Sequence, residues 1–173
     1  MKYIQRFAIV TFAAALAFVA LPAFAGNACY TPAQLQAEQA LRLHSELMVI
    51  TVTCREGSMG QSLPAAYGNF TKKNITVLHE AEQTMIAYYQ SSGKSGAMDK
   101  LDRLRTRLAN EFGQKAADMK SEAFCAAYRD KVVQYEFATP RDVEKEVQRM
   151  QISERSYVKP CRSISSVAVR KIN

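Results

Sequence analysis

Residues 31–54 read TPAQLQAEQALRLHSELMVITVTC, and the fold follows from how that stretch is read. Thr31 can accept a backbone N–H at the third position of a helix. Pro32 suits the first helical position, and Gln34 can reach back to the Thr31 N–H, completing a capping box. Ala40, Leu43, Leu47, Ile50 and Cys54 then recur at spacings of three and four, which is one face of an α-helix. Leu41, Met48 and Val52 widen that face, as in a helix packed against several neighbours. Gly57-Ser58-Met59-Gly60 ends the pattern. The spacing predicts a first helix over about 32–55.

The same grammar recurs downstream. Ser62 can cap a second helix with Pro64 in its first turn, and Tyr67, Phe70, Val77, Ala81, Met85 and Tyr88 repeat at helical spacing, interrupted by Asn74. Ser91-Ser92-Gly93-Lys94-Ser95-Gly96 is a connection. A third helix opens near Met98-Asp99 and carries Leu101, Leu104, Leu108 and Phe112 on one face. Its register continues toward Phe137, with Gly113 and Ser121 the places for a kink or restart. Thr139-Pro140-Arg141-Asp142 starts a fourth helix bearing Val143, Val147 and Met150. The pattern predicts an all-α fold, an antiparallel up-down-up-down four-helix bundle over residues 26–154. Residues 155–173 read as a basic, partly ordered C-terminal tail, tied back to the bundle at Cys161.

Four cysteines allow three pairings. Cys29 and Cys54 flank one straight helix, about 35 Å apart at ~1.5 Å per residue, whereas a disulfide needs Cα atoms within ~7 Å. In an up-down bundle the third helix carries Cys125 toward the end where Cys54 sits, and the fourth returns Cys161 to the end where Cys29 begins. Cys54–Cys125 and Cys29–Cys161 are therefore the expected bridges. Cys29–Cys125 with Cys54–Cys161 is the alternative should the third helix break near Gly113 and double back.

The N-terminus explains why the cysteines should be oxidised. Lys2 and Arg6 precede an apolar run from Phe7 to Leu21, and Ala23-Phe24-Ala25 is a small-x-small cleavage site. This is the layout of a secretory signal peptide over residues 1–25, cut between Ala25 and Gly26. Export to an oxidising compartment, the bacterial periplasm in view of the short alanine-rich signal, is the expectation. No later segment is apolar enough to span a membrane. Losing Lys2 and Arg6 takes the formal net charge from +7 to +5, a modest basic excess that favours anionic surfaces or acidic proteins.

No catalytic constellation stands out, and an enzyme is not expected. There is no Gly-x-Ser-x-Gly elbow and no phosphate-cradling glycine loop. His79-Glu80 lacks the second histidine of a zinc-protease helix, because position 83 is Gln. Glu46, Glu80 and Glu82 read as solvated acids. Lys100, Arg103 and Arg107 share one face of the third helix, diluted by Asp99 and Asp102. The tail cations Arg155, Lys159, Arg162, Arg170 and Lys171 have no acids among them. These two groups are the candidates for an anionic partner. The expected function is a non-enzymatic protein of the cell envelope that binds an envelope protein or an anionic surface, with no cofactor and no nucleic acid. The alternative is a haem- or metal-binding bundle using His44, Met48, His79 and Met85, since histidine and methionine facing each other inside four helices can hold a haem.

Overall fold

Local capping chemistry sets where three of the helices begin. Gln34 Oε1 accepts the Thr31 N–H at 2.8 Å and Thr31 Oγ1 accepts the Gln34 N–H at 3.3 Å. Ser62 Oγ takes the Ala65 N–H at 3.4 Å. Asp142 Oδ2 and Thr139 Oγ1 exchange the same pair of bonds, at 3.0 and 3.3 Å. Each satisfies N–H groups that the first helical turn leaves without intrahelical partners.

The computed structural model describes residues 29–92, 95–153 and 156–161. Among the described residues are six helices and no β-strand: α1 (Pro32–Cys54), α2 (Leu63–Lys73), α3 (Ile75–Ser91), α4 (Ala97–Met119), α5 (Ser121–Tyr135) and α6 (Pro140–Ser153). The expected signal segment and its Ala25–Gly26 cleavage site lie outside the described residues, as do Arg155, Arg162, Arg170 and Lys171.

Six helices replace the four of the sequence reading because two of those four are divided. Asn74 divides the second. It is wholly buried, with φ −110°, and its Nδ2 donates to the carbonyls of Phe70 and Ala138, both at 3.0 Å. The side chain thus joins α2 to the loop before α6, in competition with helical hydrogen bonding. Lys120 divides the third helix at φ 63° and ψ 144°, a conformation costly to any residue with a Cβ. Gly113, the other suspected break, lies inside α4.

α1 touches all five other helices. Every residue from Ala37 to Leu43 is buried, so the helix runs through the core with no solvated side along that stretch. Leu43, Leu47 and Ile50 meet Leu63, Phe70, Met85, Leu108, Phe124 and Val132 in one apolar cluster. Val143, Val147 and Met150 of α6 join it. Val52, expected on the packed face, is 68% exposed.

The disulfides pair Cys29 with Cys161 and Cys54 with Cys125, with Cα atoms 4.9 and 5.4 Å apart. These are the pairs that helix length favours. The break falls at Lys120 instead of near Gly113, and Cys125 just beyond it is bridged to Cys54. The segment 156–161 is more closely integrated than a tail on a tether. Tyr30 donates its N–H to the Lys159 carbonyl at 2.9 Å, and Cys161 donates to the Tyr30 carbonyl at 2.8 Å. The segment therefore lies as a short strap against the chain entering α1.

Candidate functional site

Along α1, Glu38, Arg42 and Glu46 follow one another at four-residue spacing and are all buried. A charge in such a position needs partners, and they come from distant parts of the chain. Arg42 is held by Glu111 of α4 and by Glu38 at 3.3 Å. Glu46 accepts from Lys131 of α5 at 2.7 Å, which corrects its reading as a solvated acid. The Glu38 carboxylate accepts the Tyr157 N–H of the strap at 3.1 Å. Burial pushes the Glu38 carboxyl above its ordinary range, against the Tyr157, Arg42 and Tyr30 hydrogen bonds. Tyr157 completes the cluster by donating its hydroxyl to Glu111.

Beside this cluster the strap, α3 and α4 enclose a cleft of about 250 Å³. Tyr30 forms its floor, Tyr88 and Tyr89 one wall, Tyr157 and Val158 another. Tyr30 and Tyr88 meet edge to face at 4.9 Å, and Tyr88 and Tyr89 at 5.3 Å. Burial, chiefly, raises the Tyr30 and Tyr89 hydroxyl pKa, with Glu38 adding to it at Tyr30, so these phenols remain neutral donors. The third side is α4, which contributes Lys100, Arg103, Leu104 and Arg107. Helical geometry places these three cations on one stripe. Arg107 stacks over Tyr157 at 4.6 Å and Lys100 over Tyr89 at 5.9 Å, cation–π contacts that steady long side chains.

The acids expected to dilute this stripe do not pair with its two arginines. Among the described residues neither Arg103 nor Arg107 forms a salt bridge with a carboxylate; Asp99 lies back against Gly96, and Glu82 pairs with Arg105 at 3.3 Å. Sequence reasoning found the cations but missed the tyrosines. Tyr30 and Tyr157 are distant in sequence, and the Cys29–Cys161 bridge together with the hydrogen bonds of the strap brings them to one cleft. Lys159, the one tail candidate that is described, is exposed on the strap, with its carbonyl on Tyr30. A larger hollow of about 510 Å³ over Ala37, Ala40 and Ala81 contains none of the expected site residues.

The four residues of the haem or metal reading occupy different settings. His44 is half-buried, and its Nε2 lies 2.7 Å from the Tyr67 hydroxyl. Burial, then the charge of Arg105, lowers its pKa to about 4. His79 is exposed on α3, Met48 is half-buried, and Met85 is wholly buried in the apolar core. Among the described residues no group of three or more His, Cys, Asp or Glu side chains is arranged to hold a metal ion. No helix among them is long and apolar enough to cross a membrane. No family model, no curated protein and no solved structure matches this chain.

Proposed function

We propose that this is an exported, non-enzymatic protein of the cell envelope that binds an anionic partner through the Lys100–Arg103–Arg107 face of α4. One observation carries the reading: three cations stand in a row on an ordered helix, two of them without a salt bridge among the described residues, beside a cleft lined by tyrosines. Asp99 and Asp102 neighbour these cations in sequence, but neither forms a salt bridge with Arg103 or Arg107 among the described residues. Two disulfides support an oxidising compartment. The up-down-up-down arrangement is proposed with one change from the sequence expectation: the third leg ends at Lys120 instead of near Phe137, so that α1, α2 with α3, α4, and α5 with α6 are the four legs of alternating direction. Support comes from the Cys54–Cys125 bridge at one end and the Tyr30–Lys159 hydrogen bond at the other.

Retention on a heparin column tests the binding face. K100Q/R103Q/R107Q is expected to elute at distinctly lower salt than K72Q/R141Q/K145Q, which removes the same charge from exposed positions elsewhere. Equal shifts would reduce the interaction to net charge and remove the face from the account. N-terminal sequencing of the protein recovered from the envelope should begin at Gly26; a start at Met1 would remove the export step.

A further inference from the structure

We infer that the cleft between α3, α4 and the strap is a site for a phosphate monoester, with the phosphate on the arginines and its carbon body against the tyrosines. This rests on the anionic-partner reading and narrows it to one chemical class. Size comes first. At about 250 Å³ the cleft falls below the ~300–1,000 Å³ of pockets that enclose drug-sized ligands. A single ring or headgroup fits; an extended chain would have to lie across the surface instead.

Charge and shape then select within that size. Guanidinium forks match the oxygens of phosphate and carboxylate in planar, paired hydrogen bonds. One carboxylate is satisfied by one fork. Here two forks stand one turn apart on α4 without a salt bridge among the described residues, a pair suited to a group carrying about two negative charges and three acceptor oxygens. Glu111, one turn beyond Arg107 on α4, is already engaged by Arg42 and by the Tyr157 hydroxyl, and Glu38 accepts the Tyr157 N–H at 3.1 Å. The anion therefore meets cations at the mouth, with these two carboxylates already committed elsewhere. Behind the cations, the half-buried rings of Tyr88 and Tyr89, backed by the buried Tyr30, present apolar area with fixed geometry, the surface on which a ring or the glycerol part of a headgroup can lie. Stacking of Arg107 on Tyr157 and Lys100 on Tyr89 reduces the ordering cost that binding would otherwise impose on those side chains.

The free phosphomonoester and the headgroup of phosphatidate share this chemistry, and one experiment separates them. The oxidised, isotope-labelled protein is titrated with phenyl phosphate while its backbone amide resonances are followed. The expected result is saturable shifts confined to residues 88–89, 100–107 and 157–158. Affinity should be about tenfold or more weaker in R103Q/R107Q and unchanged in K72Q/K145Q. Both pairs are exposed, so folding should survive and can be checked in the same spectra. Flotation with phosphatidate vesicles, competed by phenyl phosphate, assigns the site to a lipid headgroup; saturable binding of phenyl phosphate without vesicle binding assigns it to a soluble ester. Shifts that never saturate, or that are lost equally in the two variants, overturn the site. If heparin retention depends on the α4 cations while phenyl phosphate moves none of these resonances, the anionic-partner reading stands and this narrower one falls. Failure of both measurements removes both.

Discussion

His44 is the side chain whose charge responds most plainly to its surroundings. Half-buried on α1, facing the Tyr67 hydroxyl and the positive charge of Arg105, it is driven down to a pKa of about 4. An unfolded histidine takes up a proton near pH 6.5. Between those values the unfolded chain binds a proton that the folded one refuses, so stability must fall as the pH drops through that window. The loss attributable to His44 approaches about 3 kcal/mol near pH 4. In H44Q the difference in unfolding free energy from the parent protein should shrink by that amount between pH 7 and pH 4, measured by urea denaturation. A difference that stays constant would mean His44 is not held neutral. Gln39, one turn before Leu43, poses the opposite case. It is 0% exposed, and neither its amide nitrogen nor its oxygen has a hydrogen-bond partner among the described residues. An unpaired buried amide is costly, and methionine occupies a similar volume without that cost. Q39M should therefore raise stability by about 1 kcal/mol, read as a higher denaturation midpoint at unchanged slope. A loss of stability would show that the amide has a role in the core.

At the scale of the helices, the informative places are those where a helix stops. Lys120 adopts φ 63° and ψ 144° between α4 and α5, a region open to glycine and strained for lysine. K120G should stabilise by about 1 kcal/mol, with K120A giving no such gain; calorimetric midpoints of the three proteins decide. A K120G that melts lower would mean the positive φ costs lysine little. The helix starts were legible in the sequence because capping is local: Thr31, Ser62 and Thr139 each act within three residues. The Lys120 break was not, because lysine is a good helix former and what holds the turn is remote. Phe124 is fully buried and Cys125 is tied to Cys54 on another helix. Asn74 stood out as a polar residue on an apolar stripe, yet its second partner, the Ala138 carbonyl, lies far along the chain. The polar series Glu38, Arg42 and Glu46 gave no sign of its burial for the same reason, and Glu46 read as a solvated acid. Spacing within α1 cannot announce that Glu111, Lys131 and Tyr157 will come to cover it. The cations of the candidate site were legible as a stripe; the tyrosine cleft beside them was not.

The two disulfides organise the molecule as a whole, and loop entropy alone barely distinguishes them. Their sequence separations are 132 and 71 residues, and loop closure grows only logarithmically, so the longer bridge should exceed the shorter by about 0.5 kcal/mol. Any larger difference reports what each bridge holds in the native state. Cys29–Cys161 holds the strap, whose further attachments are the two backbone bonds to Tyr30 and the Tyr157 contacts with Glu38, Glu111 and Arg107. Cys54–Cys125 fastens the end of α1 to a helix that already packs on α1 and α2. C29S/C161S and C54S/C125S should each lose about 2–4 kcal/mol of global stability, but their amide hydrogen exchange should differ. In C29S/C161S, the amides of Tyr30, Tyr157 and Cys161 should exchange through local opening while those at the centre of α1 keep protection set by global unfolding. In C54S/C125S the strap amides should keep their protection. Strap amides that stay protected without the Cys29–Cys161 bridge would show that the Glu38–Arg42–Glu111 cluster and the two backbone bonds to Tyr30 are together strong enough to hold Tyr157, and with it one wall of the cleft.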